Sequence, residues 1–419
     1  MTAILDGIEG SLPYWVALGF FAAYPIVSSL MWISLALNYF ARRELRKPRT
    51  LRPPVPAPPV SVLIPAYCEE QHIVETVEAC LAIDYPDFEV VVVDDGSTDA
   101  TLALIQPYVA AGRIRVVVKS VNEGKAMAIN DAIPCLRGEI VLIIDADACP
   151  APGILSAMVP HFESARVAAV TGNPRVVDRR TLLAKLQVIE FTSIVSLLRR
   201  AQRVWGRVLT VSGVATAFRR SALVDVGLFS PDMATEDIDV TWRLQKRFYD
   251  VRYEPQAVVW MRVPTGLRAL WRQRRRWAVG LAQVLRRHAS DVFSHWRHRR
   301  MWPVVIEAML SIVWAYLFVG LTLLWAVSLA FGRAPAGASP FPNVWGMTIA
   351  TLAVTQLAVG VLLDARYERS VMRSFPIAVL YPVGYWMLMA VVTAMATPRG
   401  VWRGRAVGAP IRWRTIRGT

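Results

Sequence analysis

A run of 29 residues without a single charge, at positions 12–40, constrains the fold of this chain more than any other feature. A tilted transmembrane helix needs roughly 20 apolar residues, so the run predicts a membrane span. A cleaved signal peptide is not expected, because its shorter apolar core would follow a basic start, whereas the preceding segment is acidic. Further spans are predicted at 302–331, 343–363 and 375–397. Pro376 and Pro382 interrupt the last of them, which predicts a kink or an incomplete crossing.

The formal net charge is +15, and the basic residues border the apolar segments. Residues 42–52 contain six Arg or Lys, and residues 262–300 contain eleven Arg. Basic runs beside spans mark the cytoplasmic side and bind anionic headgroups. A lipid bilayer is therefore the expected partner, and nucleic-acid binding is not expected, because no such motif accompanies the charge. The basic tail at 398–419 also favours the cytoplasmic side, although one span before and three after the middle region would place it outside.

The middle of the chain has the pattern of an α/β domain. A basic, proline-rich linker at 41–59 precedes the domain, which is predicted at 60–262. Short apolar runs separated by helical stretches predict a mostly parallel sheet with helices on both faces. The predicted strands are Val60–Pro65, Phe88–Val93, Ile114–Val118 and Ile140–Ile144. Ligands of such sheets bind beyond the carboxyl ends of the strands, where the acidic clusters of this sequence lie.

Two clusters of polar residues follow the first two strands. Tyr67 and Glu69 come after the first strand, and the sequence DDGSTD at residues 94–99 follows the second. An aromatic ring and carboxylates at adjacent strand ends suit a nucleobase and its ribose. The alternative for residues 94–99 is a helix-capping turn with a solvated aspartate. Lys125 begins a later helix, where it either meets a phosphate or is an ordinary solvated lysine.

Asp145 and Asp147 directly follow the fourth strand. Carboxylates two positions apart at one strand end can share a hard cation, so this pair predicts a Mg²⁺ or Mn²⁺ site. A cation held there would bridge a diphosphate and neutralise the charge of a leaving group.

A further acidic group begins a predicted helix. Thr235 is a good N-cap residue, and Glu236 and Asp237 follow it. These acids either form a capping box favoured by the helix dipole or provide a general base beside an acceptor hydroxyl.

Residues 263–300 predict amphipathic helices that rest on the membrane interface. Within them Gln273, Arg276 and Trp277 are spaced so that they share one side of a helix. Arg276 suits a phosphate, and Trp277 suits a flat ring.

The combination of these motifs resembles the processive, inverting family-2 glycosyltransferases, which include cellulose, chitin and hyaluronan synthases. The motifs are Tyr67-Cys68-Glu69, Asp94-Asp95-Gly-Ser, Glu123-Gly-Lys125-Ala, Asp145-x-Asp147, Thr235-Glu236-Asp237 and Gln273-x-x-Arg276-Trp277. Longer stretches are similar to the bacterial poly-β-1,6-N-acetyl-D-glucosamine synthases: 171–175, 210–223, 233–239 and 270–277. The resemblance implies an α/β fold, with a GT-A-type (Rossmann-like) catalytic domain and a mostly parallel sheet, inserted between transmembrane helices.

The resemblance also implies a role for each matching residue. Asp237 would be the catalytic base, and Asp147 would bind the metal. The nucleotide-sugar donor would be bound by Tyr67, Glu69, Asp95, Lys125, Asp145 and Arg276. The acceptor would be bound by Glu236, Gln273 and Trp277. Cys68 stands where Asn is usual in the similar sequences, which leaves a polar contact at that position open.

The implied reaction polymerises N-acetylglucosamine from UDP-N-acetylglucosamine into a β-linked, β-1,6 exopolysaccharide of the biofilm matrix. The implied setting is the bacterial inner membrane, crossed several times, with a cytoplasmic catalytic domain. A small membrane accessory subunit and the growing polysaccharide are the implied partners. Two alternatives stay open: a chitin-, hyaluronan- or cellulose-like synthase, and a non-processive enzyme that adds one sugar to a lipid carrier.

Overall fold

The computed structural model describes residues 2–45, 52–334 and 344–403 together with Arg412. Parts of the predicted organisation lie outside the described residues: positions 46–51 of the linker, position 343 at the start of one predicted span, and positions 404–411 and 413–419 of the basic tail.

The described elements form a sheet region with long helices before and after it. The α-helices are α1 (Thr2–Glu9), α2 (Leu12–Tyr39), α3 (Ile73–Leu81), α4 (Thr101–Ala110), α5 (Lys125–Ala132), α6 (Ile154–Met158), α7 (Leu182–Ile189), α8 (Ser196–Trp205), α9 (Arg220–Asp225), α10 (Glu236–Lys246), α11 (Leu267–Ser294), α12 (Trp302–Ala330), α13 (Val344–Asp364) and α14 (Trp386–Arg403). The strands are β1 (Val60–Ala66), β2 (Phe88–Asp94), β3 (Arg115–Val118), β4 (Ile140–Ile144), β5 (Ala148–Pro150), β6 (Val167–Val176), β7 (Ala215–Arg219) and β8 (Asp250–Met261).

The eight strands form one sheet in the order β3-β2-β1-β4-β7-β6-β8-β5. Strands β1 to β4 pair in parallel, and β6 pairs in parallel with β8. Strand β7 runs antiparallel between β4 and β6, and β5 runs antiparallel to β8. The predicted mostly parallel sheet is therefore confirmed, with an antiparallel insertion that the strand pattern did not show.

Apolar side chains cover both faces of the sheet. In β1, Val62 and Ile64 belong to one hydrophobic core, whereas Leu63 belongs to the core on the opposite face. This alternation follows from the two-residue period of a strand. Because both faces are buried, the strand is apolar at every position except Ser61 instead of alternating with polar residues.

Three helices of the described residues are long and apolar enough to cross a membrane: Leu12–Glu44, Trp296–Ala330 and Val344–Asp364. The fourth predicted span, 375–397, is not one continuous helix. A 3₁₀ helix at Arg369–Val379 and a π-helical segment at Tyr381–Tyr385 precede α14. Pro376 and Pro382 explain the interruption, because proline lacks the N–H that an α-helix requires and clashes with the preceding turn.

The predicted interface region at 263–300 contains the 28-residue helix α11 and a 3₁₀ turn at Trp296–Met301. Helix α11 packs against α10 of the sheet region and against α14. Arg286 of α11 also donates a hydrogen bond to the carbonyl of Val401 in α14 (2.6 Å). Helix α11 therefore connects the sheet region to the last apolar segment.

A buried ionic network joins two apolar helices to the sheet region. Arg200 of α8 donates to Glu44, just beyond α2 (2.6 Å), and to Asp364 at the end of α13 (2.7 Å). Arg175 of β6 donates to the second oxygen of Asp364 (2.7 Å). No side chain of the four is more than 1% exposed. Two cations therefore neutralise two carboxylates away from water. Removal of any one of these charges would leave an uncompensated charge in the interior.

Candidate active site

The loop after β1 and the DDGSTD segment after β2 are joined by side-chain hydrogen bonds. Ser97 Oγ accepts from the backbone N–H of Cys68 (2.9 Å), and Thr101 Oγ1 accepts from the N–H of Glu69 (2.8 Å). Tyr67 and Glu69 are both half-buried at this strand end. The structure therefore brings together the two segments that the sequence analysis assigned to a nucleobase and its ribose.

Cys68 has a backbone φ of +53°, in the left-handed region. This region strains residues that carry a Cβ, and Asn tolerates it better than most of them. The backbone conformation at position 68 therefore suits Asn better than Cys. The thiol of Cys68 lies 3.6 Å from Thr98 Oγ1, within the same pair of loops.

Asp95 is completely buried and holds the loop that precedes α5. Its Oδ1 accepts from the N–H of Glu123 (3.1 Å), and its Oδ2 accepts from the N–H of Gly124 (2.7 Å). Lys119 Nζ lies 3.4 Å from the same carboxylate. Because Lys125 directly follows this loop, the hydrogen bonds of Asp95 help to fix the position of Lys125.

Lys125 is the centre of a half-buried ionic cluster. Its ammonium group donates to the Asp145 carboxylate and to the carbonyl of Gly213 (3.0 Å), and it lies 3.8 Å from Glu236 Oε1. Burial acts to lower the pKa of Lys125, but the Asp145 and Glu236 carboxylates outweigh burial and raise the pKa. Lys125 therefore keeps its positive charge although it is partly removed from solvent, and its carboxylate partners distinguish it from an ordinary solvated lysine.

Asp237, on the first turn of α10, borders the same cluster. Burial, reinforced by the Glu236 carboxylate, raises the pKa of Asp237 to about 6, and Lys125 acts in the opposite direction. A Cβ on Gly213 would lie 3.4 Å from Asp237 Oδ2 and 3.7 Å from Lys125 Nζ, so the absence of a side chain keeps this space open. A carboxylate with a pKa just below neutrality suits proton removal from a hydroxyl group.

The neighbouring acid Asp239 has a different environment. Its carboxylate accepts hydrogen bonds from Ser230 Oγ (2.7 Å) and Arg243 Nε (2.7 Å), and it lies 2.8 Å from His288 Nε2. Burial acts to raise the pKa of Asp239, but the His288 hydrogen bond and Arg243 outweigh it and lower the pKa. Asp239 therefore stabilises the packing of α10 and is not available to a substrate.

Asp145 and Asp147 follow β4 at the floor of the cleft. Burial raises the pKa of Asp145, Lys125 counteracts it, and the nearby Asp147 carboxylate raises it further. Such repulsion between two carboxylates is what a divalent cation relieves, and their hard oxygen donors fit Mg²⁺ or Mn²⁺. Within the described ranges, three or more metal-ligating side chains do not cluster anywhere. A metal held here would therefore take its remaining ligands from substrate phosphates and water, as Mg²⁺ commonly does.

Helix α11 fixes the beginning of α10. Arg276 Nη1 donates to the carbonyl of Ala234 (3.1 Å), and Gln283 Oε1 accepts from the N–H of Ala234 (3.0 Å). Between them, Gly280 lies so close to Thr235 that a Cβ would be 2.2 Å from Thr235 Oγ1. Among the described residues, Thr235 makes no side-chain capping bond. Thr235 therefore does not form the capping box that was one of the two alternatives for this segment. It packs against α11 instead.

Gln273 and Trp277 lie one turn apart on α11, and both are half-buried. The Arg274 guanidinium lies 4.0 Å from the centroid of the Trp277 ring. The structure thus brings Lys125, Asp145, Glu236 and Asp237 together. Arg276 and the rest of the Gln273–Trp277 motif lie on the helix that packs against the start of α10.

The comparison with known proteins identifies the family. The family model described as "Glycosyltransferase like family 2" matches residues 57–280, more than half of the 419 residues. The chain belongs to glycosyltransferase family 2. The predicted GT-A-type α/β fold between apolar helices and the predicted glycosyltransferase class are both confirmed by this match.

Relatives of this glycosyltransferase match almost its full length. A poly-β-1,6-N-acetyl-D-glucosamine synthase of Staphylococcus epidermidis is 33% identical over 391 residues, covering 92% of this chain and 94% of that protein. The synthase of Staphylococcus aureus (strain COL) is 34% identical over 393 residues, with the same coverage. The solved structure of a Pyrobaculum calidifontis mannosyltransferase in complex with GDP-Man and Mn²⁺ has a TM-score of 0.58 and 25% identity, covering 90% of this chain and 99% of that one. With three apolar helices of spanning length, the glycosyltransferase is membrane-associated.

The sequence analysis missed four residues that shape the site of this glycosyltransferase: Lys119, Gly213, Arg274 and Gly280. An isolated glycine within a helical pattern indicates close packing, so Gly280 carried a usable signal. Arg274 carried none, because it is one of three consecutive arginines and only its burial distinguishes it from its neighbours.

Proposed function

We propose that this glycosyltransferase polymerises N-acetylglucosamine from UDP-N-acetylglucosamine into a β-1,6-linked exopolysaccharide of the biofilm matrix, processively and with inversion at the anomeric carbon. The 33% and 34% identity to two poly-β-1,6-N-acetyl-D-glucosamine synthases supports this substrate and linkage. The single observation that carries the proposal is the cluster of Lys125, Asp145, Glu236 and Asp237. It combines a half-buried cation, a carboxylate suited to a metal and a base within one cluster.

Asp237 acts as the general base in a single in-line displacement. Its carboxylate removes the proton of the acceptor hydroxyl while that oxygen attacks the anomeric carbon, and the bond to UDP breaks on the opposite face. With a pKa of about 6, Asp237 is mostly ionised at neutral pH and is still basic enough to accept a proton. One displacement converts an α-linked donor into a β-linked product without a covalent enzyme intermediate.

The donor occupies the cleft beyond the parallel strands. Tyr67 and Glu69 hold the uridine, and Asp95 sets the loop that places Lys125 beside the diphosphate. Lys125 and Arg276 offset the negative charge that develops on UDP as it leaves. A Mg²⁺ or Mn²⁺ ion bound by Asp147 beside Asp145 would supply further neutralisation of the diphosphate. The Mn²⁺ in the complex of the Pyrobaculum mannosyltransferase supports a divalent ion in this fold.

Trp277, Gln273 and Glu236 receive the acceptor end of the growing chain. Ala278, the residue after Trp277, lines a cavity of about 300 Å³ between the apolar helices. Aromatic side chains of three of those helices also line the cavity, namely Trp32, Trp314 and Trp386. Because flat rings stack against sugars, this cavity is the proposed beginning of the polymer's path into the membrane.

The proposed location is the bacterial inner membrane, crossed several times, with the sheet region in the cytoplasm, where nucleotide sugars are made. The basic residues beside the apolar helices support this orientation. A small membrane accessory subunit is the further partner that we propose. The interrupted helix at 369–385, which is not a regular span, is the segment where such a subunit would complete the membrane part.

A panel of UDP-sugars tests the proposed function. The purified full chain in nanodiscs should release UDP and form polymer with UDP-N-acetylglucosamine, and it should do neither with UDP-glucose or UDP-glucuronate. Linkage analysis of the product should show 1→6 bonds. A 1→4 product, or UDP release without any polymer, would refute the proposed synthase and favour one of the two alternative classes.

A metal titration tests Asp147. Asp147→Ala should abolish the part of UDP binding that depends on Mn²⁺ in calorimetry, because the cation loses its protein ligand. Asp87→Ala is the matched control, since Asp87 forms a surface pair with Arg137 (3.0 Å). Equal Mn²⁺ dependence in both variants would rule out the metal-binding role of Asp147.

A further inference from the structure

Arg274 is a buried arginine within a strongly basic helix. It is 0% exposed, whereas the next two residues, Arg275 and Arg276, are exposed. An arginine cannot lose its charge at physiological pH, so its burial needs compensation by neighbouring groups.

Two groups distant in the sequence provide that compensation. Arg274 Nη2 donates to the carboxylate of Glu190 and to the hydroxyl of Tyr385 (2.9 Å), and the Tyr385 hydroxyl donates to Glu190 (2.8 Å). Both partners lie in π-helical segments, at Glu190–Val195 and Tyr381–Tyr385. Such segments are rare and occur often at functional sites. The three side chains therefore tie α11 to the segment before α14 and to the helix between α7 and α8.

The rest of the guanidinium faces the Trp277 ring. Its central carbon lies 4.0 Å from the ring centroid, well within the range of a cation–π contact. Among the described residues, Arg274 Nε and Nη1 have no hydrogen-bond acceptor. A planar guanidinium stacks on an aromatic face in a way that a lysine ammonium cannot reproduce. One face of Trp277 is thereby occupied and cannot receive a sugar ring.

We propose that Arg274 is a positioning residue for the acceptor: it holds Trp277 in one orientation and leaves a single face of the indole ring for the terminal sugar of the growing chain. Glu190 and Tyr385 hold Arg274 in turn, so Tyr385, in the segment before α14, contributes to acceptor binding through Arg274. This inference rests on the proposed polymerising function, in which Trp277 receives the acceptor. It implies that Arg274 affects the binding of the acceptor and does not affect the binding of the donor.

The test compares Arg274→Lys with Arg275→Lys. Arg274→Lys keeps the charge beside Glu190 and removes the planar stack, whereas Arg275→Lys makes the same change on an exposed arginine of the same helix. With β-1,6-linked N-acetylglucosamine oligosaccharides as acceptors, Arg274→Lys should raise the KM for the acceptor about fivefold to tenfold, as expected from loss of a desolvated cation–π contact. The KM for UDP-N-acetylglucosamine should change less than about twofold, as should both constants of Arg275→Lys.

A double-mutant cycle separates positioning from general stability. In a Trp277→Leu background, which has no aromatic ring for the guanidinium to stack on, Arg274→Lys should raise the acceptor KM much less than it does in the original chain. Equal effects in both backgrounds, or a parallel rise of the donor KM, would overturn the inference.

Tyr385→Phe is a second test of the inference, which is needed if Arg274→Lys no longer binds UDP. It removes one hydrogen bond to Arg274, so it should raise only the acceptor KM, and an unchanged acceptor KM would overturn the inference. The wild-type reaction is the reference for the proposed function. If the unmodified chain forms no polymer, the proposed function fails, whereas normal wild-type polymerisation with no effect of these variants contradicts the role of Arg274 alone.

Discussion

Replacing Asp237 by Asn should abolish polymer synthesis and at the same time stabilise the folded protein. The pKa of Asp237 rises from 3.8 to about 6 on folding, because burial and Glu236 disfavour the ionised form. About two pKa units at about 1.36 kcal/mol each correspond to about 3 kcal/mol. Asp237 is only half-buried, so solvent screening reduces the expected effect to about 1–2 kcal/mol. Asn is neutral and nearly isosteric, and it avoids this cost of holding a charge in the cleft.

The sign of the effect depends on pH. Above about pH 6, Asp237 is ionised in both the folded and the unfolded chain, and the folded state bears the full cost. Below the unfolded pKa of 3.8, the group is protonated in both states and the cost vanishes. The stability advantage of Asp237→Asn should therefore be largest at about pH 7.5 and should shrink as the pH falls from about 6 to about 4. Over the same range, kcat/KM of the wild type should fall as the base becomes protonated.

Asp239→Asn is the matched control on the same helix. The pKa of Asp239 is lowered in the folded state, so its charge contributes stability at neutral pH. Neutralising it leaves Arg243 without its carboxylate partner and should destabilise the protein by about 3–5 kcal/mol. The two aspartates, two positions apart, should thus shift stability in opposite directions.

Thermal unfolding in detergent micelles at pH 7.5 measures both changes, and UDP release measures turnover. Asp237→Asn should retain UDP binding and lose about 10²–10⁴ in rate. The reasoning fails if Asp237→Asn lowers Tm, or if it retains turnover within about tenfold of the wild type. A rise in Tm for Asp239→Asn would contradict the assignment of that residue to packing.

Three further predictions concern stability and the geometry of the site. Cys68→Asn should raise stability by about 0.5–1 kcal/mol, because Asn accommodates the φ of +53°, and a lower Tm would contradict this reading of the backbone. Arg200→Met should cost about 3–5 kcal/mol in thermal unfolding, because it leaves two buried carboxylates without their shared cation. The control is Arg180→Met, which breaks the pair of Arg180 with Asp178; Arg180 is 90% exposed, so stability should change by less than about 0.5 kcal/mol. Similar losses of stability in Arg200→Met and Arg180→Met would contradict the view that burial makes the Arg200 pairs important. Gly280→Ala should reduce kcat at least about tenfold, because the new Cβ displaces the start of α10 and with it the base. Gly320→Ala, where nothing lies within 4 Å, should leave kcat unchanged, and equal kcat in the two variants would contradict the supporting role of α11.

The apolar helices, the first four strands and the neighbourhood of the site follow from the amino-acid sequence alone. Apolar runs of spanning length and short buried strands depend on local patterns, so three apolar helices and the strands β1 to β4 follow directly from them. The carboxyl ends of parallel strands converge at one edge of a sheet, so the acids after those strands had to meet. The motif order then identified the family, because each motif is short and continuous in the chain.

The role of each charged side chain depends on contacts that form only in the folded chain. Asp237 and Asp239 belong to the same TEDID stretch, yet the pKa of one is raised and that of the other is lowered, because their partners come from different elements. Arg274 is buried while Arg275 is exposed, because Glu190 and Tyr385 converge on one side of α11 from segments far along the chain. A local sequence pattern indicates which residues are buried and the period of a helix or strand. The ionic partner of a side chain, in contrast, comes from a distant segment and is known only after the chain has folded. The role of a charged side chain therefore becomes visible only when the long-range contacts are in place.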